Sequence, residues 1–279
     1  MKKLITILAA SVLAASAFAG NITVKGSDTL LILAQKWAET YMGGHTNVNI
    51  SVSGGGSGIG FAALQGQTTD LCDASRKIKA AEIQKCIIAF GARPTEYKVA
   101  LDGLSVYVNP ENPLTELSVA QVGDIFTGKI TNWKDVGGPD APITVYSREN
   151  SSGTYEFFKA NVLKGQDFAA SAQTMPGTAA IVQAVVKDKN GIGYGGAAYG
   201  GGSKLLAIKK TDDSPAIAPN ETTVMDGTYP IWRHLYVYVN PAQDKGDIAA
   251  YLNWIRSDDG QKYVKDIGYY PLPKNLRSN

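Results

Sequence analysis

The residues best suited to chemistry lie in one short stretch, 148–154, which reads Arg-Glu-Asn-Ser-Ser-Gly-Thr. The apolar run Ile143–Tyr146 predicts a buried strand before it, and residues 155–163 predict a helix after it. The first N–H groups of a helix have no partner inside the helix and carry the positive end of its dipole. A guanidinium beside such a helix start suits an oxyanion. We therefore predict that half of an anion site is formed by Arg148, Ser152, Gly153 and Thr154.

Two further strand-to-helix junctions have the same small and hydroxyl character. Gly-Ser-Asp-Thr at 26–29 follows a predicted strand and precedes an amphipathic helix, which Ser27 or Asp28 is expected to cap. Gly-Gly-Gly-Ser-Gly at 54–58 follows a second strand, and it lacks the Gly-Lys-Ser/Thr ending of a nucleotide P-loop. Ligands of open α/β sheets bind beyond the carboxyl ends of strands, so these junctions are expected to form the opposite wall of the site.

Two similar segments indicate how the chain is divided. Residues 103–110 and 234–241 are both apolar strands that end in Asn-Pro, which predicts paired strands connecting two domains. Strands and helices alternate between and around them, which is typical of an α/β fold. We predict one lobe from residues 20–103 and 240–279, a second from 104–239, and hinge strands near 104–109 and 235–240. Helices are expected near 80–90, after a Ser118/Gln121 capping box, and near 178–187, 245–257 and 260–267.

The N-terminus predicts export. Lys2 and Lys3 precede an apolar run, and Ala-Phe-Ala at 17–19 gives a cleavage site, so residues 1–19 are interpreted as a secretory signal peptide. The full chain has 27 basic and 25 acidic residues; without Lys2 and Lys3 the balance is 25 to 25. A net charge of zero argues against nucleic acid or an anionic membrane as the main partner. An anion site in this chain must therefore depend on local geometry.

The cysteines and histidines offer little other chemistry. Cys72 and Cys86 are expected to form a disulfide in an oxidising compartment, the alternative being two buried free thiols. Their spacing is not that of a metal or redox pair. The two histidines, His45 and His234, are far apart in sequence, so neither a catalytic triad nor a zinc site is indicated. We expect no metal or other cofactor.

Taken together, these motifs resemble the periplasmic phosphate-binding proteins of bacterial ABC phosphate transporters. The resemblance covers nearly the whole mature chain and is most specific at Arg148 with Ser-Gly-Thr at 152–154. Further matches are the junctions at 26–29 and 54–58, Lys-Trp-Ala at 36–38, and the segment 124–133. The family implies a type II periplasmic-binding-protein fold of two α/β lobes, in which a dehydrated phosphate is enclosed. It also implies a monomer in the periplasm that delivers phosphate to a permease in the inner membrane.

The resemblance assigns the ligand contacts residue by residue. Arg148 would supply the charge, and the other groups would be hydroxyls and backbone N–H groups. The expected phosphate-binding residues are Ser27, Asp28, Thr29, Ser57, Ser75, Arg76, Arg148, Ser152, Gly153 and Thr154.

This chain departs from the family pattern at one position. Familiar members have an aspartate that accepts the hydrogen of protonated phosphate and so excludes sulfate, whereas this chain has Ser75, followed by Arg76, at that point. We hypothesise that Asp28 takes the acceptor role and that Arg76 balances its charge, the simpler alternative being that Asp28 only caps its helix. Glu149 and Asp73 are lesser candidates for charge balance.

The sequence is also compatible with three other functions. The same fold could bind sulfate, molybdate, tungstate or arsenate, since helix termini and hydroxyls serve any tetrahedral oxyanion. An exported phosphatase would need a nucleophile with a base or a metal, and Ser152 has no evident histidine partner. A purely structural or adhesive role is the third. The leading prediction is a binding protein without enzymatic activity.

Overall fold

The structure is a computed structural model that describes residues 20–277, so the predicted signal peptide at 1–19 lies outside the described residues. The strands are β1 Gly20–Gly26, β2 Val48–Ser53, β3 Leu71–Ala74, β4 Thr95–Val108, β5 Glu116–Ser118, β6 Thr144–Arg148, β7 Gln173–Met175, β8 Gly191–Gly196, β9 Lys204–Leu205, β10 Ala207–Lys209, β11 Ala216–Ile217 and β12 Trp232–Val239. The helices are α1 Leu31–Gly44, α2 Ser57–Gln65, α3 Ala80–Phe90, α4 Val119–Phe126, α5 Gly153–Asn161, α6 Thr178–Lys187, α7 Glu221–Met225, α8 Gly246–Arg256 and α9 Asp258–Ile267. None of the helices in this part of the chain is long and apolar enough to span a membrane.

The first lobe contains β1–β3, α1–α3, α8 and α9. Strands β1, β2 and β3 are parallel, in the order β2-β1-β3. One face of this sheet packs against the apolar side of α1, where Leu33, Trp37 and Tyr41 are buried. The other face packs against α2 and α3. Because the three strands are parallel, their carboxyl ends meet at one edge, where α1 and α2 begin.

Strands β4 and β12 run antiparallel and belong to both lobes. Along residues 95–103 β4 pairs with β12, and from Leu104 onward it pairs with β8 of the second lobe. Residues 235–239 of β12 contribute Leu235, Val237 and Val239 to the first core, whereas Ile231 lies in the second. The change from the second core to the first therefore falls between Ile231 and Leu235 of β12, and the hinge near 235–240 stays a prediction.

The second lobe contains the elements between β4 and β12. Its part of the main sheet has the order β4-β8-β6-β7, and β5, β10 and β11 form a small separate sheet. The predicted capping box is confirmed: the Gln121 N–H donates to Ser118 Oγ at 3.1 Å, and the Ser118 N–H donates to Gln121 Oε1 at 2.9 Å. The core includes the stacked rings of Phe158 and Tyr194, whose centroids lie 4.0 Å apart. Both faces of β8 are therefore covered, which fixes the strand beside β6.

Two local predictions are wrong. Helix α1 begins at Leu31 and its N-cap residue is Leu30. Neither Ser27 nor Asp28 caps the helix with its side chain. Cys72 and Cys86 are both buried free thiols and do not form the expected disulfide. Both thiols lie in one buried apolar cluster with Phe61 and Leu64 of α2, where they pack as small apolar side chains. Burial also raises the pKa of both thiols, that of Cys86 to about 11, which disfavours the thiolate needed for exchange.

Candidate oxyanion site

The two lobes meet where the N-termini of α2 and α5 face each other. The Gly58 N–H of α2 donates to the carbonyl of Ser151, just before α5, at 2.9 Å. A Cβ on Gly153 would lie 2.2 Å from Ser57 Oγ and 2.8 Å from Ser75 Oγ. Only glycine allows this approach, which brings the start of α5 directly against the opposite lobe. The sequence-predicted half-sites are thus brought together.

Four hydroxyl groups form a buried cluster at this junction. Thr154 Oγ1 lies 2.7 Å from Thr29 Oγ1 and 3.3 Å from Ser75 Oγ, and Ser57 Oγ lies 3.3 Å from Ser75 Oγ. All four residues are at most 1 % exposed. Three of them come from the first lobe and Thr154 comes from the second, so the cluster exists only when the lobes are closed.

The surrounding donors determine what these hydroxyls can do. Arg233 Nη2 donates to Thr154 Oγ1 at 3.1 Å, and the Ser75 N–H donates to Ser57 Oγ at 3.0 Å. In the same way the Tyr155 N–H donates to Ser152 Oγ at 3.2 Å. Because guanidinium and N–H groups cannot accept, the hydroxyl hydrogens of Thr154 and Ser57 can be donated to other acceptors, which in this structure include the neighbouring hydroxyls. An acceptor-rich anion could replace those hydroxyl–hydroxyl bonds.

Arg148 lies on the other side of the same first-lobe segment, beside Asp28. Its side chain is only 1 % exposed. Nη2 donates to Asp28 Oδ2 at 2.6 Å and to Glu149 Oε1 at 2.7 Å, while Nε donates to Glu149 Oε2 at 3.0 Å. Nη1 donates to Thr178 Oγ1 at 2.9 Å. Of the five N–H groups of Arg148, these bonds use four, so one on Nη1 is left for a ligand. More would become free only if Asp28 or Glu149 moved away.

The charges around Arg148 are strongly coupled. Burial by itself lowers the pKa of Arg148, but the hydrogen bond and charge of Glu149 and the charge of Asp28 outweigh it, so that the pKa is raised. Burial raises the pKa of Glu149, but the hydrogen bond from Arg148 and its charge outweigh this and lower the pKa below its ordinary value. Arg148 is therefore permanently charged and Glu149 is ionised at neutral pH.

Asp28 is an acceptor between the lobes. Its Oδ1 accepts from the Gly55 N–H at 2.8 Å, and its Oδ2 accepts from Arg148. Its backbone carbonyl accepts from the hydroxyl of Tyr199, a second-lobe residue, at 2.6 Å. A carboxylate has about four acceptor positions, so Asp28 keeps capacity for a further donor. The charge that balances it comes from Arg148 and not, as predicted, from Arg76.

Arg76 is held elsewhere in the interface. Its Nη1 and Nη2 donate to the two carboxylate oxygens of Glu82, at 2.8 and 2.7 Å. Its Nε lies 3.0 Å from Glu156 of α5, which makes a second ion pair across the lobes. Arg76 therefore joins Glu82 of the first lobe to Glu156 of the second.

Ser27 and Asp73 are associated through their backbones. The Ser27 N–H donates to the Asp73 carbonyl at 2.9 Å. Asp73 is buried, and the burial raises the pKa of its carboxyl to about 7. Among residues 20–277, no side-chain hydrogen bond joins Ser27 or Asp73 to the hydroxyl cluster.

Arg233 and Asp102 are the central residues that the sequence predictions missed. They are paired across β12 and β4, with Arg233 Nε and Nη2 donating to Asp102 Oδ2 at 2.9 and 2.8 Å. Arg233 Nη1 also donates to the Ser75 carbonyl of the first lobe at 3.0 Å, and Nη2 reaches Thr154 of the second. One sequence signal could have identified them. Asp102 stands directly before one of the two similar Asn-Pro segments, and the oppositely charged Arg233 stands directly before the other.

Within residues 20–277, no group of three or more His, Cys, Asp or Glu side chains could hold a metal ion. His45 is a structural residue: its ring stacks on Tyr41 and its Nδ1 lies 2.9 Å from the Tyr41 carbonyl oxygen.

Comparison with known proteins shows the family. Residues 13–259 match the model of the PBP superfamily domain. The chain is 37 % identical over 278 residues to the phosphate-binding protein PstS of Pseudomonas aeruginosa, covering 94 % of this chain and 86 % of that one. It is 34 % identical over 263 residues to PstS of Staphylococcus epidermidis, covering 91 % and 80 %.

Solved structures agree with this relationship. A putative phosphate ABC transporter substrate-binding protein from Clostridium perfringens, with bound phosphate, has a TM-score of 0.83 at 26 % identity, covering 91 % of this chain and all of that one. An ABC-type phosphate transport receptor from Vibrio cholerae has a TM-score of 0.71 at 27 % identity, with 90 % and 100 % coverage. The chain belongs to the PstS family of phosphate-binding proteins, within the PBP superfamily.

Proposed function

We propose that this protein binds inorganic phosphate between its lobes in the periplasm and delivers it to an ABC importer, without enzymatic activity of its own. The observation that carries the proposal is the buried hydroxyl cluster at the start of α5, where Thr154, Ser57 and Ser152 each accept one bond from a nitrogen and can donate their own hydrogen to an anion that replaces a neighbouring hydroxyl. An anion with four oxygens matches such a set, because each donor buried without an acceptor would cost about 1–3 kcal/mol.

Capture and release would depend on movement of the lobes. Polar bonds cross the junction, such as Gly58 to Ser151 and Tyr199 to Asp28. Strands β4 and β12 are the continuous connections, and their crossing near 102–104 and 231–234 is the expected hinge. Binding of an anion to groups from both lobes would favour the closed form, which a permease in the inner membrane could then recognise.

The direct test is calorimetric titration of phosphate into the wild type and Arg148→Ala. Removal of a buried charge that faces an anion costs about 2–5 kcal/mol, so we expect phosphate binding at least about 30-fold weaker. Lys129→Ala, which removes a surface ion pair with Asp124, is the matched control and should bind as the wild type does. Equal phosphate affinity in the wild type and Arg148→Ala would contradict the proposal.

Asp28 is proposed as the group that distinguishes protonated phosphate from sulfate, since it is the carboxylate acceptor joined to Arg148. In Asp28→Asn the Gly55 contact can be kept, but the amide cannot accept as strongly. We expect phosphate to bind more weakly and sulfate more tightly, so that the preference for phosphate falls by at least about tenfold. Titrations of phosphate, arsenate, sulfate and molybdate measure this, with Asp124→Asn as the control. An unchanged preference would show that another group discriminates.

A further inference from the structure

A separate cavity lies beside the oxyanion site, against the hinge strands. Its volume is about 390 Å³, and Ser75 and Arg233 form its border with the hydroxyl cluster. The outer walls are Lys77, Lys98, Phe157, Trp232, His234 and Tyr236. Pockets of this volume bind small organic molecules. The cavity is therefore larger than a single tetrahedral oxyanion requires.

Positive charge in this cavity is not fully balanced. The two arginines at its inner side, Arg76 and Arg233, are paired with carboxylates. Lys77 and Lys98 have no ion pair with any carboxylate of residues 20–277. Glu96, two residues before Lys98, instead accepts from the Tyr238 hydroxyl at 2.7 Å. Lys77 is exposed and Lys98 is half-buried, so both ammonium groups can be reached by an anionic ligand that enters the cavity.

The remaining walls are aromatic. Phe157 and Trp232 lie at the cavity, and Trp232 is 36 % exposed although it is a large apolar side chain. Phe157 is held by Arg233, whose guanidinium carbon is 5.2 Å from the ring centre. A flat ring entering the cavity could stack on these faces, since aromatic pairs are favourable beyond the area that they bury.

His234 supplies a polar group without a partner. Its Nδ1 is buried and has no hydrogen bond. Burial, followed by the charges of Lys98 and Lys77, lowers the pKa of His234 to about 4, so the ring is neutral at neutral pH. A neutral imidazole can donate or accept one hydrogen bond at this atom. The cavity thus combines two unpaired cations, aromatic faces and one orphaned polar atom.

We propose that this cavity is a second ligand site, for a small aromatic anion that binds beside the enclosed phosphate. Its anionic group binds Lys77 and Lys98, and its ring packs against Trp232 and Phe157. The cavity adjoins the oxyanion site, and Arg233 and Ser75 line both.

The test is calorimetric titration of phenyl phosphate into protein already saturated with inorganic phosphate. We expect 1:1 binding of phenyl phosphate, with methyl phosphate at least tenfold weaker because it has no ring. Lys77→Gln/Lys98→Gln should weaken phenyl phosphate at least tenfold and leave the affinity for inorganic phosphate within twofold. The control Lys129→Gln/Lys134→Gln removes the same charge from the surface of the second lobe and should change neither.

Three results would overturn the proposal. They are the absence of phenyl phosphate binding to phosphate-saturated protein, equal affinity for methyl and phenyl phosphate, and equal loss in the two lysine double variants. The inorganic phosphate titration in the same variants reports on the oxyanion site alone, so failure of the two sites can be told apart.

Discussion

Arg148 and Arg233 are both almost completely buried and both are paired with carboxylates. Their partners differ. Arg148 ends β6 and is bound by Asp28 and Glu149, whose side chains are 15 % and 29 % exposed. Arg233 lies within β12 and is bound by Asp102, which is directly opposite on β4 and fully buried. One arginine has partners that can exchange with water or a ligand, and the other does not.

The difference separates two functions of buried charge. The carboxylates bound to Arg148 reach solvent, so water can hydrate them again when an anion takes their place. This costs less free energy than separating a fully buried ion pair. Arg233 cannot release Asp102 without leaving two buried charges. It is therefore a positioning residue, which holds the Ser75 carbonyl and the Thr154 hydroxyl in fixed orientations. We therefore expect Arg148, and not Arg233, to contact a bound anion.

The largest effect is expected from breaking the fixed pair. Asp102→Asn leaves Arg233 buried without its counter-charge, so the free energy of unfolding should fall by about 3–5 kcal/mol. Urea unfolding measures it. The double variant Asp102→Asn/Arg233→Met removes both charges and should recover much of the stability while phosphate binding stays weak. A loss below about 1 kcal/mol in Asp102→Asn would show that the pair is not a fixed element of the hinge.

Sequence reasoning found the local parts of this arrangement. Helix starts depend on neighbouring residues, so the Ser-Gly-Thr of α5, the glycines before α2 and the capping box of α4 could all be predicted. The relation of Arg233 to Asp102 depends on the register of two strands that are 131 residues apart, which no local pattern contains.

The contact between Asp28 and Arg148 was missed for a similar reason. It forms between lobes, and a helix cap is the ordinary interpretation of an aspartate in that position. The disulfide prediction is wrong because the spacing of two cysteines does not show whether they lie in an apolar cluster as free thiols.

An intermediate effect is expected at the hydroxyl that Arg233 orients. Thr154→Val keeps the shape of the side chain but removes a donor to a charged ligand, which is worth about 1.5–3 kcal/mol. Phosphate binding should weaken by about 10- to 150-fold, measured by calorimetry. Thr154→Ser keeps the hydroxyl and should lose only a few-fold. If Val and Ser behave alike, Arg233 does not act through this hydroxyl, and its contact with Ser75 becomes the one that positions the site.

The smallest effect is expected at the exchangeable partner of Arg148. Glu149→Gln removes a charge that is partly exposed, and Arg148 keeps Asp28, so the free energy of unfolding should fall by less than about 1 kcal/mol at pH 7. The sign of the pH dependence follows from the lowered pKa of Glu149 in the folded protein. Its stabilisation is complete above the unfolded pKa of about 4.3 and is lost as the pH falls through the folded value.

Urea unfolding at pH 7.5, 5 and 3 should therefore show the wild type and Glu149→Gln converging at the lowest pH. Glu111→Gln, at an exposed pair with Lys189, is the matched control and should show almost no difference at any pH. Phosphate affinity should be kept or increased in Glu149→Gln, because Arg148 then has more donors free for the anion. A loss of several kcal/mol, or a difference that grows toward low pH, would mean that Glu149 is as fixed as Asp102 and that the two arginines do not differ in the way proposed.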